Sequence, residues 1–398
     1  MKLTTLFITF GLCCSLSMAA AQRPEIVNYP DRIMLTWSDD PAVTQSVSWR
    51  SPQHSTKALG QIVEENSHPE LEEKAQTVEG QQLNLVLAEG GKDTYQHVTF
   101  RGLKPATTYV YRVGDGSTWS SWNQFRTAGA KEDFSFIYLG DAQNDLRSRW
   151  SRTIRKAFQQ EPDARFIVHA GDLINRSNTD SEWREWYEGS GFIHQMIPAV
   201  PTPGNHEYKR DSLGQLVLDP HWKVQFQLPK NGPQHLQDAV YFLDYQDVRL
   251  ISLNSQLIML DSSAALEQEK WLEKVLANSS KKWNIVIMHH PVYSTAKNRD
   301  NTILRERFKP VFEKYGVDLV LQGHDHTYAR GAAGRERPVY LLSVAGPKMY
   351  QSDSERWMDV SAQNTQLYQV IRMTGDRLYF KSYKLNGELF DSFELSKK

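Results

Sequence analysis

The sequence predicts an all-β sandwich domain followed by a larger α/β domain. Two observations carry this prediction. Before residue 131, short runs of alternating or aromatic-rich character are separated by clusters of Asp, Pro, Gly and Lys. After it, apolar runs alternate with segments of helical period. A length of 398 residues gives each domain room for a sizeable core.

The N-terminus, MKLTTLFITFGLCCSLSMAAAQ, has one Lys, an apolar stretch and then small residues at Ala19, Ala20 and Ala21. This is the pattern of a secretory signal peptide over residues 1–21, so an exported protein, secreted or periplasmic, is expected. A transmembrane anchor is disfavoured because no second spanning segment follows. Lipid anchoring at Cys13 is disfavoured because Leu12 stands where a small residue is needed. Cys13 and Cys14 are the only cysteines. Cleavage near Ala21 leaves no thiol, which excludes disulfides, thiolate metal sites and cysteine nucleophiles.

Residues 22–130 supply the first domain. IMLTW, SVSWR, HVTF, TYVYRV and WNQFRT read as strands of a small antiparallel sandwich. Leu103, Pro105 and Tyr109 of LKPATTY resemble the tyrosine corner of a fibronectin type III domain. Residues 50–95 are polar and hard to divide, with Glu64-Glu65 and Glu72-Glu73 marking solvated loop or edge. A scaffold role is expected for this domain in preference to carbohydrate binding. TAGAKED (127–133) reads as the linker. Residues 131–398 supply the second domain. FSFIYL, RFIVHA, WNIVIM and VDLVLQ read as buried strands. Leu146, Trp150, Ile154 and Phe158 recur every four residues as a helix face. Leu304, Phe308, Phe312 and Tyr315 do nearly the same, with Pro310 expected to kink that helix.

Lys and Arg total 46 against 47 Asp and Glu, so no basic field exists for nucleic acid or anionic lipid. The chemistry sits elsewhere. FIYL ends in Gly140-Asp141, FIVHA in Gly171-Asp172, and the turn after PAVPTP gives Gly204-Asn205-His206-Glu207. NIVIM ends in His289-His290-Pro291, and DLVLQ in Gly323-His324-Asp325-His326. One Gly-Asp is an ordinary turn. Five such groups, each at the carboxyl end of an expected strand, lie where open α/β sheets bind ligands. Oxygen and imidazole donors without sulfur suit Zn, Mn or Fe. Two carboxylates and several imidazoles exceed one tetrahedral site. Two ions sharing a carboxylate is the economical solution, and such a pair can generate hydroxide at neutral pH and clamp a phosphoryl group.

At these residues the sequence resembles the calcineurin-like metallophosphoesterases. It is most similar to the purple acid phosphatases, in which a fibronectin-like domain precedes the catalytic one. YGVDLVLQGHDHTYAR and LKPATTYVYRVGD carry the resemblance most specifically. It implies a central β-sandwich flanked by helices. It also implies that Asp141 binds metal 1, Asp172 bridges both ions, Asn205 and His289 bind metal 2, His324 binds metal 2 and His326 metal 1. His206 would contact phosphate or protonate the leaving oxygen as general acid. The ions would be divalent or an Fe(III)/M(II) pair of Fe, Zn or Mn.

Three departures from the family pattern matter. Asn175 stands where the family's iron-binding Tyr is expected, which predicts no purple chromophore and less preference for Fe(III). Gln143 stands where other metallophosphoesterases have a His, making it a tentative oxygen ligand to metal 1, with a hydrogen bond to the nucleophile or Asp141 as its alternative role. No His occurs in PVYSTAKNRDNT to contact phosphate, so Lys297 or Arg299 is a candidate for that task, with Asn144 and Arg147 behind them. The expected activity is hydrolysis of a small phosphate monoester by metal-held hydroxide. A phosphodiesterase on the same fold is the alternative, and an inactive secreted binding protein the remote one.

Overall fold

The aromatic-rich runs of the first domain form two facing four-stranded antiparallel sheets. The structure is a computed structural model and describes residues 27–332, 334, 337–352 and 355–397. The expected signal peptide lies outside these residues. Strands β1 (Asp31–Thr36), β2 (Thr44–Ser51), β3 (Leu59–Glu64), β4 (Gln76–Glu79), β5 (Gln81–Val86), β6 (Lys92–Arg101), β7 (Thr108–Gly114) and β8 (Asn123–Arg126) build them. Their orders are β1-β2-β6-β5 and β4-β3-β7-β8. Leu35, Val47, Trp49, Val98, Tyr111 and Phe125 fill the space between. The Tyr109 hydroxyl accepts the Lys104 N–H at 2.9 Å, the tie of a tyrosine corner. The segment that resists division by sequence holds the mostly exposed strands β4 and β5.

The second domain is a sandwich of two mixed sheets. Its strands are β9 (Phe134–Leu139), β10 (Ile167–Ala170), β11 (Ala199–Thr202), β12 (Tyr208–Arg210), β13 (Leu216–Leu218), β14 (Tyr241–Tyr245), β15 (Val248–Ser252), β16 (Trp283–Ile287), β17 (Leu319–Gln322), β18 (Tyr328–Gly331), β19 (Val339–Leu342), β20 (Val360–Ala362), β21 (Leu367–Thr374), β22 (Arg377–Lys384) and β23 (Leu389–Ser396). One sheet runs β11-β10-β9-β21-β22-β23 and the other β14-β15-β16-β17-β19-β18-β20. β12 and β13 make a small hairpin apart. The ligand-bearing strands pair in parallel, β9–β10–β11 in one sheet and β16–β17–β19 in the other.

Side-chain alternation assigns each face. Ile285, Ile287, Leu319, Leu321 and Leu341 point inward, into the core shared with Phe136, Ile137, Val168 and Ala170. Val286, Val320, Tyr340 and Leu342 point outward, under helices Ser262–Ala277 and Lys309–Lys314, where Leu272, Val275 and Phe312 meet them. Each such side chain contributes roughly 1.5–3 kcal/mol by leaving water. The Tyr138 hydroxyl, from β9, crosses the sandwich to accept the Gln322 N–H at 2.8 Å and ties the two sheets beside the site.

Two helical details differ from the expectation. The face of Leu146, Trp150, Ile154 and Phe158 begins in a π-turn, Leu146–Trp150, before helix Ser151–Gln160. A π-turn, Leu304–Phe308, also precedes Lys309–Lys314 within one unbroken helical run, so Pro310 stands inside that run just after its irregular turn.

The domains meet through buried contacts. Met34 and Trp37 join the core of the second domain. Tyr111 Oη donates to the Gln195 carbonyl at 2.8 Å, and Gln227 Nε2 to the Val47 carbonyl at 2.8 Å. The expected linker is itself tied down: Ala128 N–H donates to the Pro41 carbonyl at 3.0 Å, and Glu132 N–H to Gln246 Oε1 at 2.8 Å. No helix among the described residues is long and apolar enough to cross a membrane.

Candidate metal centre

Five strand ends converge where the two sheets of the sandwich meet. Asp141 follows β9, Asp172 follows β10 and Asn205 follows β11; His289 follows β16, and His324 and His326 follow β17. Their backbone is bent hard to do this. Asp141, Asp172, His324 and His326 have φ of 49°, 53°, 77° and 49°, in the left-handed region that side chains disfavour. Such strain persists only where the surroundings over-determine it, as at a site. The glycines make room. Gly171 has φ +82°, and a Cβ on it would lie 2.6 Å from His289 Nδ1. A Cβ on Gly323 would lie 2.6 Å from Asp141 Oδ2.

The side chains form two clusters with one shared member. Ligand atoms of Asp141, Asp172 and His326 lie within 4.8 Å of one another, and so do those of Asp172, His289 and His324. His289 Nδ1 donates to the Ala170 carbonyl at 2.8 Å, which turns Nε2 into the site. That Nε2 lies 3.2 Å from Asp172 Oδ2, 3.2 Å from Asn205 Oδ1 and 3.1 Å from His324 Nδ1. The His324 N–H donates to both Asp141 oxygens, at 2.9 and 2.8 Å, so one loop aims the carboxylate of another. His206 stands at the rim. Its Nδ1 donates to the Asn175 carbonyl at 2.5 Å, and its Nε2 lies 3.9 Å from Asp172 Oδ2.

Residues 134–328 match the family described as calcineurin-like phosphoesterase, and residues 30–127 match the purple acid phosphatase N-terminal domain. The chain belongs to the calcineurin-like phosphoesterases, with a purple acid phosphatase N-terminal domain. It is 25% identical over 320 residues to a purple acid phosphatase of Glycine max, covering 77% of this chain and 67% of the relative. It is 27% identical over 268 residues to an uncharacterised protein of Mycobacterium tuberculosis. That match covers 59% of this chain and half the length of the relative. The fold is that of the purple acid phosphatase from yellow lupin (Lupinus luteus) seeds, with a TM-score of 0.77 at 18% identity over 93% of this chain and 74% of that one.

The electrostatics of the phosphoesterase centre show a deficit of positive charge. Asp141 and Asp172 are fully buried, and among the described residues no Lys or Arg pairs with either. Burial pushes the Asp141 carboxyl up to about 8, against the pull of His289. Burial also works to raise Asp172, but His289 and the hydrogen bonds from His289 and His206 overcome it and hold this carboxyl below the usual range. His289 rises to about 9 because Asp172 and Asp141 outweigh its burial. His324 is held well below the usual imidazole value by burial and by its neighbours His290 and His289. Two adjacent buried carboxyls thus share one imidazolium, which favours the charged form of Asp172 and leaves Asp141 favouring its proton. Three imidazoles, two carboxyl groups and an amide oxygen converge in this pocket, a donor set that fits two cations once they displace the protons on His289 and Asp141.

Several expected residues have other partners. Gln143 Nε2 donates to Asp172 Oδ2 at 2.6 Å, while its Oε1 accepts from Lys348 Nζ at 3.2 Å. Its amide nitrogen, not its oxygen, faces the shared carboxylate. Asn175 contributes its carbonyl to His206. Arg299 is committed to Asp325 at 2.9 Å and the His324 carbonyl at 3.1 Å, and Lys297 is exposed. Arg147 pairs with Glu188 at 3.3 Å on the neighbouring helix. Asn144 Oδ1 is buried without a partner. His169 is a core histidine against Trp186 and His194.

Three supporting residues carry no role in the sequence reading. Glu207 accepts the N–H groups of Asp172, Leu173 and Gly204 at 2.9, 2.7 and 2.6 Å, and its burial beside Asp172 raises it to about 7. Asp325 accepts from Ser294, Thr295 and Arg299 and fixes the loop after His289. Both acids stand inside quoted motifs, next to His206 and His324, and that adjacency is the signal that points to them. Lys348, on the loop after β19, has no such signal.

Proposed function

We propose that this phosphoesterase hydrolyses phosphate monoesters at a dinuclear metal centre. The observation that carries the reading is the membership of Asp172 in both ligand clusters, which gives two cation positions one bridging carboxylate. Asp141, Asp172 and His326 would hold one ion; Asp172, Asn205, His289 and His324 would hold the other. Fe, Zn or Mn in those positions supplies charge against a phosphoryl group and acidifies water. The chain's own groups do the rest. His289 is held in one tautomer by the Ala170 carbonyl, leaving Nε2 free to bind. His206, anchored through Nδ1, offers Nε2 at the rim, where it can hold or deliver the proton that a leaving alkoxide needs. Export with loss of residues 1–21 belongs to the same proposal and is supported by the N-terminal pattern.

The test is elemental analysis of the purified protein, followed by reconstitution with Fe, Zn and Mn. Each form is assayed on p-nitrophenyl phosphate and bis(p-nitrophenyl) phosphate. Two ions per chain and faster monoester cleavage are expected. Faster diester cleavage would replace the monoester reading with a phosphodiesterase. No bound metal and no cleavage under any supplement would remove catalysis altogether.

A further inference from the structure

Among the described residues, a cation beside the centre has no carboxylate partner. Residues 346–350, GPKMY, follow β19 and lie against both ligand-bearing regions. Gly346 N–H donates to the Asp141 carbonyl at 2.9 Å, and Tyr350 N–H to the His326 carbonyl at 3.3 Å. A Cβ on Gly346 would lie 2.2 Å from the Asp141 carbonyl oxygen, so only glycine lets the loop approach this closely. Between these two tethers stands Lys348, half-buried, with its ammonium 3.2 Å from Gln143 Oε1. Gln143 in turn touches the shared carboxylate of Asp172 at 2.6 Å. The ammonium is therefore one side chain away from the bridging position.

Arg299 and Lys348 are both near the centre but differ in state. Arg299 is neutralised by Asp325. Among the described residues no carboxylate pairs with Lys348; its other neighbour is the Tyr350 ring, 5.4 Å away. That ring also packs edge-on against His326 at 4.7 Å. Turning the Gln143 amide over would set its NH2 against the ammonium, donor to donor. These two hydrogen bonds set the glutamine oxygen on the lysine. An ammonium with no carboxylate partner among the described residues, held at a centre for phosphate esters, is a ready contact for an anionic oxygen.

Building on the monoester reading, we propose that Lys348 contacts the substrate phosphoryl group and biases the centre toward dianionic monoesters over monoanionic diesters. Gln143 acts through it as a positioning residue.

The experiment compares metal-loaded wild-type protein with Lys348→Met and Lys348→Arg. Metal content, calorimetric binding of inorganic phosphate, and kcat/KM on the two p-nitrophenyl esters are measured. Lys348→Met is expected to keep two ions and to bind phosphate about 10- to 100-fold more weakly, the range for a hydrogen bond to a charged group. Monoester kcat/KM should fall by a similar factor, diester kcat/KM by far less, and Lys348→Arg should recover most of the loss. Unchanged phosphate affinity, or an equal loss on both esters, overturns the assignment alone. So does loss of an ion that Lys348→Arg does not restore, because Lys348 then only supports the metal site through Gln143. Wild-type protein that neither binds phosphate nor cleaves either ester removes the phosphatase reading and this assignment together.

Discussion

Two buried clusters of charge in this molecule are built on opposite terms. At the domain interface, Arg32 grips Asp180 through two bonds of 2.5 and 2.7 Å, and Arg50 binds Asp31 at 2.6 Å and Asp93 at 3.1 Å. His221 adds contacts to Asp219 at 2.6 Å and Asp180 at 3.5 Å, and Lys209 closes the set on Asp219 at 2.8 Å. Every anion there has a cation from the chain itself. At the strand ends, no Lys or Arg among the described residues pairs with Asp141 or Asp172; His289 and His206 face Asp172, and Asp141 accepts the His324 N–H. Evolution of stability alone favours the first arrangement, since uncompensated buried charge is costly. The second is tolerated where an outside partner completes it. The difference separates a structural cluster from a functional one without reference to any relative.

Breaking each cluster should therefore fail in a different way. The largest effect is expected for Asp172→Asn. It removes the shared member, so both ions should be lost in elemental analysis and hydrolysis should fall by roughly 10³-fold or more. Asp141→Asn should lose one ion, not two. Equal metal loss in both variants would contradict a bridging role for Asp172.

At the interface the currency is stability. Arg32→Ala leaves the Asp180 carboxylate in the seam between domains with only His221 at 3.5 Å and Arg50 at 3.9 Å, and urea unfolding should show a loss of about 3 kcal/mol. Metal content should be unchanged at the concentrations where the variant is folded. A loss below about 1 kcal/mol would mean that Asp180 is already well served by His221 and water.

The same seam holds a histidine kept neutral. His97 donates through Nε2 to the Val224 carbonyl at 2.7 Å, and burial depresses it to about 4. In the unfolded chain it titrates at an ordinary value near 6.5. Between these values the unfolded state binds the extra proton, so stability is full above about pH 6.5 and is lost as pH falls toward 4. The contribution is about 3 kcal/mol across that window. His97→Gln keeps a donor for Val224 and should flatten the pH dependence by that amount. His194, depressed to about 3 by burial, contributes a slope of the same sign that remains in the variant.

The clusters also differ in how much of them the sequence reveals. Gly140-Asp141, Gly171-Asp172 and Gly323-His324 are legible because a strand that ends on a strained, ligand-bearing turn needs glycine and a polar residue in fixed order. Arg32, Asp180 and His221 are not, because their pairing depends on how two domains dock, and 148 residues separate Arg32 from Asp180. The strands β9, β10, β16 and β17 are legible as buried runs. Their division into two sheets is not, since Ile285 and Val286 face different cores with side chains of the same kind. Strand β4 escapes because its side chains are mostly exposed, and β5 because its apolar alternation is only Leu83 and Leu85, which pack in a small satellite cluster against Tyr95 and Val224. Arg299 and Lys348 are equivalent by composition, cations in polar loops. Only the position of Asp325 distinguishes the neutralised Arg299 from Lys348, which has no carboxylate partner among the described residues.

Gln143 gives the smallest expected effect and the sharpest use of the comparison. Its oxygen accepts from Lys348 and its nitrogen donates to Asp172, so in this orientation it turns no oxygen donor toward the shared carboxylate. It trims the anionic deficit by one hydrogen bond. Removal by Gln143→Ala should therefore leave two ions per chain and weaken their binding by roughly tenfold, the lower end for a residue that supports a ligand. Competitive titration with a chelator measures this directly. Retention of only one ion would mean that the amide turns its oxygen inward once a cation arrives. The Lys348→Met protein resolves that case: with the ammonium gone, nothing holds the oxygen outward, and metal affinity should rise if Gln143 ligates and stay level or fall if it only donates.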